Sequence, residues 1–132
     1  MLSIEQMRQR EKANLRLESV PIPEWDAPNE PPASVNVRNI SATDRDSMEY
    51  EVEVAKREKL NNNIRARLFV RVVCDAEGKR LYKDTDAAEV GTWDGKVLDR
   101  VWDAGWRLGR FSDKEKEELE KNSVPGPNGS SS

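Results

Sequence analysis

Five carboxylates fall within residues 75–89: Asp75, Glu77, Asp84, Asp86 and Glu89. Oxygen donors at that density would suit a calcium ion, which takes about six to eight of them. The spacing argues against it. A calcium loop turns at a glycine in its sixth position, whereas Gly78 is fourth from Asp75, and Lys79, Arg80 and Lys83 interrupt the ligand positions. A turn followed by helix caps accounts for the same residues. Asp44 and Asp46 are close enough in sequence for acid–base work, but no second catalytic group accompanies them, and carboxylates there favour a helix N-terminus by charge. Histidine, the commonest general base and metal ligand, is absent. No nucleophile elbow, phosphate-binding glycine loop or Cys/His metal spacing occurs. The expectation is therefore no enzyme, no metal site and no cofactor.

Aromatic area is what the chain does offer. Trp93, Trp102, Trp106 and Phe111 lie close together, and Leu98, Trp102 and Trp106 form a ridge at i, i+4 and i+8. Two readings stand side by side. Either the ridge packs on the apolar stretch 64–74 and makes the core, or part of it, with Trp106 at the edge of the arc, stays open for a partner.

Composition narrows the partners. Charged residues make up 36% of 132 residues and apolar ones also 36%, enough for one domain with a modest core. The formal net charge of −3 is spread along the chain, so no basic field exists to hold nucleic acid. The lone Cys74 sits in an apolar run, which predicts a buried thiol in a reducing compartment. No apolar run reaches bilayer length, and MLSIEQMRQREK lacks the core of a signal peptide, so no membrane partner and a cytoplasmic location are expected.

The elements that must position the ridge follow from caps and periods. Ser3 to Gln6 has capping-box spacing and predicts a polar helix over about 4–12, the main part of an N-terminal arm, 1–14. Leu15 to Ile22 reads as an extended edge segment limited by Pro21 and Pro23. Residues 26–34 form a proline-rich loop, and Val35 to Ile40 returns antiparallel to make a hairpin. Ser41 caps a helix starting near 42 with Met48, Val52 and Ala55 on a thin stripe, and Asn61 to Asn63 favour a break. IRARLFVRVVCD, 64–75, fits period 2 and period 3.6 alike. Helix is preferred, because twelve residues are long for a strand and no apolar strand remains nearby to pair with it.

A turn at Asp75 to Gly78, a short extended piece at 79–83 and a brief helix at 87–91 come next. After Gly91 to Gly95, one helix carries Val97, Leu98, Val101, Trp102, Gly105, Leu108 and Gly109 on a single face. Ser112 to Glu115 opens a charged helix over 113–121 with Leu119 as its one large apolar residue, and 123–132 has the composition of a disordered tail. The fold class expected is mainly α with a small β-hairpin near the N-terminus (α+β), built as a compact helical bundle with a flexible C-terminal tail; residues 15–122 form the single domain.

The order of several short stretches resembles a known family. Val20-Pro-Ile-Pro-Glu-Trp25, Val35 to Asp46, Arg65-Ala-Arg67, Val73 to Asp86 and Leu98 to Leu108 look like the tail assembly chaperones of long-tailed bacteriophages, those with non-contractile tails in particular. The proline-rich 26–32 and the broken Gly91 to Gly95 depart from the family pattern without touching the apolar periodicity. The resemblance implies a largely helical, non-catalytic protein that binds the tape measure protein, keeps it soluble, and promotes polymerisation of tail tube protein around it. It implies a longer frameshifted product that recruits the tube protein, work in the host cytoplasm, and absence from the finished virion. It also favours helix for 64–74. On this reading the client contact is expected on Leu98, Trp102 and Trp106 with Leu68, Phe69 and Val72 of the neighbouring arc, with self-association along the client. The alternative is a structural virion component, a head–tail connector or minor tail protein.

Overall fold

Residues 64–75 hold two elements. In the computed structural model, which describes residues 1–110 and 113–122, Ile64–Val72 is a helix and Val73–Cys74 a short strand. The helical period governs as far as Val72. There the chain extends, and Val73 and Cys74 pair antiparallel with Val37 and Asn36.

In chain order the elements are α1 (Ile4–Ala13), β1 (Leu17–Pro21), β2 (Ser34–Arg38), α2 (Ala42–Arg57), α3 (Ile64–Val72), β3 (Val73–Cys74), α4 (Ala87–Val90), α5 (Gly95–Gly109) and α6 (Asp113–Asn122). The fold class is as expected, α+β and mainly helical. The hairpin is extended by one strand: β1 pairs with β2 from Leu17↔Arg38 to Pro21↔Ser34, and β3 lies on the other side of β2. β1 is thus an edge strand, the place where its proline does least harm.

Local chemistry explains the boundaries. The Ser3 hydroxyl accepts from the Gln6 amide while the Gln6 side chain accepts from the Ser3 amide, a complete capping box on α1. Ser41 accepts from the Asp44 amide and starts α2. The predicted break at the asparagines is real: Asn63 takes a left-handed φ of 54°, and its side chain donates to the Ala87 carbonyl at 2.9 Å, tying the start of α3 to α4. Gly78 closes the turn after β3 at φ 88°, where a side chain would be strained and would also meet Leu15.

The core surrounds α3. Ile64, Ala66, Leu68, Phe69, Val70 and Val72 are all buried on it, and so is Arg71. A helix buried nearly all round sits between other elements, and α3 contacts α2, α4 and α5. Its approach to α5 is close: a methyl group added to Gly105 would lie 2.9 Å from Leu68 Cδ2. On the sheet, Val20 and Val37 point into the same cluster. Phe111, Ser112 of the last expected capping box, and the tail expected at 123–132 lie outside the described residues.

Candidate functional site

The carboxylates of residues 75–89 separate into distinct tasks. Asp75 accepts from the amides of Glu77 and Lys79, each at 2.9 Å, and holds the turn. Asp86 accepts from the Lys83 amide at 2.8 Å. Glu77 and Glu89 are exposed. Asp84 turns inward to arginines, 2.7 Å from Arg80 and 3.2 Å from Arg71. Among the described residues, no three His, Cys, Asp or Glu side chains converge as a metal site would need.

Asp84 belongs instead to a network that sequence reading missed. Arg71 is fully buried, donates to the Arg67 carbonyl and Ser47 hydroxyl, and lies 3.0 Å from Glu51. Arg80 reaches Asp44 at 2.9 Å and the Val70 carbonyl at 3.1 Å. Arg67 pairs with Glu51 at 2.7 Å. Burial pushes the Asp84 carboxyl up, but the hydrogen bond from Arg80, the charges of Arg71 and Arg80 and the Ser47 hydroxyl together hold it below the ordinary aspartate value. The network clamps α2, α3 and the segment before α4. Its chemistry is structural, since each cation meets a fixed anion.

The aromatic ridge does not form an open patch. Leu98, Trp102, Trp106, Leu68, Phe69 and Val72 are all buried, including Trp106, which is only 5% exposed. Of the two readings of the ridge, this is the one in which it packs on 64–74 and makes the core. The physical reason is packing: Trp102 and Trp106 meet edge to face at 4.9 Å, the Arg65 guanidinium lies 4.9 Å over Trp102, and α3 fills the space behind them. Arg65 is itself oriented by Asp99 at 2.7 Å. A second aromatic group, Phe69, Tyr82, Trp93 and Trp25, runs from the core to the surface, with Trp25 partly exposed against Trp93 at 5.9 Å.

Helix α6 packs against α2 and reaches Trp102 of α5. Its Leu119 is buried, Glu115 meets Arg45 at 2.6 Å, and Glu120 accepts from Trp102 Nε1 at 3.3 Å. Burying one leucine contributes about 1.5–3 kcal/mol, and ion pairs this exposed contribute about 1 kcal/mol or less each. Ten residues do not sustain a helix alone in water. Between α6 and α2 runs a groove of about 360 Å³ lined by Arg45, Glu49, Val52, Glu53, Glu115, Glu118 and Leu119.

Apolar surface that is open lies elsewhere. Tyr50 and Leu60 are 67% and 61% exposed and line one groove with Val54 and Ala55. On α1, which buries no residue, Ile4 and Met7 face solvent. The signal for Tyr50 was in the sequence, because it falls off the Met48, Val52 and Ala55 stripe of α2. No helix among the described residues is long and apolar enough to cross a membrane.

The fold has a solved counterpart. The tail assembly chaperone of bacteriophage HK97 superposes with a TM-score of 0.56 at 22% identity, over 83% of this chain and 100% of that one. No curated protein matches the sequence. The family described as phage tail assembly chaperone matches residues 3–122, nearly the whole of the described chain, and this protein therefore belongs to that family.

Proposed function

We propose that this protein binds the tape measure protein of its phage, keeps it soluble, and promotes polymerisation of tail tube protein around it. Family membership over residues 3–122 is the observation that carries the reading. The physical task is plain. A tape measure chain is long and helical with an apolar face, and before a tube encloses it that face self-associates. A small helical protein can cover such a face reversibly by helix-in-groove contacts, with several copies along one client adding avidity and associating with each other. The role needs no catalysis and no cofactor. It is performed in the host cytoplasm and ends with release before the virion is complete. Tail tube protein is recruited by a longer, frameshifted form of the chain.

Co-expression tests this. The tape measure protein is expected in the soluble fraction, and in a pull-down, only when the chaperone accompanies it. Equal solubility without the chaperone would overturn the proposal, and recovery of the chain from purified virions would favour a structural tail component instead.

A further inference from the structure

Helix α1 turns its polar side to its own chain and its apolar side to solvent. Arg8, Gln9 and Lys12 line a cleft of about 600 Å³ with Leu15 and Arg38. Ile4 and Met7, at i and i+3, form an exposed stripe. The helix has a complete capping box yet buries no residue. Ten residues do not sustain a helix alone in water, and burial of an apolar stripe is what usually does so. A surface of the same character lies open on α2 and the residues after it, where Tyr50 and Leu60 line a groove with Val54 and Ala55. In a single copy both the stripe and the groove are uncovered.

Their charges are of opposite sign once every side chain is counted. Residues 4–13 carry three bases and two acids, whereas residues 46–60 carry five acids and three bases. Within the groove, Arg67 is met by Glu51 at 2.7 Å, which leaves Glu58 as the lining charge without an ion pair among the described residues. Arg10, three residues on from Met7 and so on the flank of the stripe, has no ion pair among them either. We propose that the Ile4–Met7 stripe of one copy docks in the Tyr50–Leu60 groove of a second copy, with Arg10 set against Glu58. Each copy carries both halves of the contact, so the association is head-to-tail and repeats. Copies linked in this way hold a long client with an avidity that one copy lacks. The inference rests on the proposed chaperone role, for which it names the surface through which neighbouring copies meet.

Sedimentation of the full-length chaperone without client reads the contact directly. The wild type is expected to associate as its concentration rises. Ile4→Ser with Met7→Ser removes the stripe, Tyr50→Ser with Leu60→Ser removes the groove, and each double variant should associate about tenfold more weakly or less. All four side chains are exposed, so the fold should survive, which circular dichroism checks. Mixed together, the two double variants restore one intact contact, and a heterodimer that grows no further should form. Arg10→Glu should weaken association, and adding Glu58→Arg to the same chain should restore it. A wild type that stays monomeric, association indifferent to both double variants, or a mixture that remains monomeric overturns the inference. If a monomeric chaperone still solubilises the tape measure protein, the chaperone role stands and this contact falls. If copies associate as described while the tape measure protein stays insoluble, the contact stands and the chaperone role falls.

Discussion

Arg71 Nη2 lies 3.2 Å from Asp84 Oδ2, a cation with no solvent exposure held by a carboxylate from the segment leading into α4. The same nitrogen is 3.0 Å from Glu51 on α2. One guanidinium thus fastens three parts of the chain around the buried helix. Removing it opens a cavity beside the core and takes from Glu51 and Asp84 one of the two cations each meets, leaving Arg67 and Arg80, and breaking one partner out of a buried ionic network costs more than its formation contributes. Arg71→Ala is expected to lose roughly 3 kcal/mol of stability, read as a lower urea midpoint with an unchanged slope. A loss within 0.5 kcal/mol of zero would show the network to be dispensable.

Acid should act through Asp84. Burial raises its proton affinity, but the arginines and Ser47 more than offset that, so the folded-state pKa lies below the unfolded one. A depressed carboxylate stabilises the fold above the unfolded value and stops doing so as pH falls through the folded value. Stability should therefore hold near neutrality and decline below about pH 4. Asp84→Asn should flatten this decline relative to the wild type when urea midpoints are compared from pH 6 to pH 3. An identical slope in both proteins would assign the acid sensitivity to other groups.

Much of the fold was legible because it rests on local rules. Ser3 and Ser41 marked helix starts through caps, the asparagines marked the break before α3, and the face of α5 followed from its period. β3 was not legible. Two residues carry too little pattern, and their strand character comes from pairing with β2 across more than thirty residues of sequence. The burial of Arg71 was not legible for a related reason: charge predicts exposure, and only the three-dimensional arrival of Glu51 and Asp84 lets an arginine be buried. Leu98, Trp102 and Trp106 lie together on α5, but whether that face meets α3 or solvent is a tertiary fact that periodicity does not contain.

The approach of α3 to α5 depends on Gly105. A methyl group there would stand 2.9 Å from Leu68 Cδ2 and 3.8 Å from Val72 Cγ2, both on side chains buried in the core. Alanine favours a helix interior over glycine by about 1 kcal/mol, while overpacking costs about 1–3 kcal/mol. Gly105→Ala is expected to destabilise by about 1 kcal/mol on balance. A rise in thermal midpoint would mean that Leu68 moves aside freely and that the two helices are less tightly set than their geometry implies.

Cys74 should be inert in the folded protein. The thiol is buried, its sulfur is 3.6 Å from the Asn36 carbonyl, and burial pushes its pKa up. Since the thiolate is the reactive form, modification should require opening of the β2–β3 pairing. A thiol reagent at neutral pH is expected to label Cys74 slowly, and quickly once urea unfolds the chain. Fast native labelling would show that β3 frays on its own.

Client contact and folding can be separated experimentally because Trp106 and Tyr50 differ in burial. Trp106 is part of the core, so Trp106→Ala is expected to cost about 3–5 kcal/mol; any loss of client solubility in that variant reports unfolding as readily as a lost contact. Tyr50 and Leu60 are exposed, and Tyr50→Ser with Leu60→Ser should leave the urea midpoint nearly unchanged, because exposed substitutions usually move stability by less than about 0.5 kcal/mol. The double variant therefore isolates surface from core. If co-expression yield of the tape measure protein falls with it while stability holds, the α2 face contributes to the client contact. If yield is preserved in the double variant, the α2 face around Tyr50 and Leu60 is not the client contact.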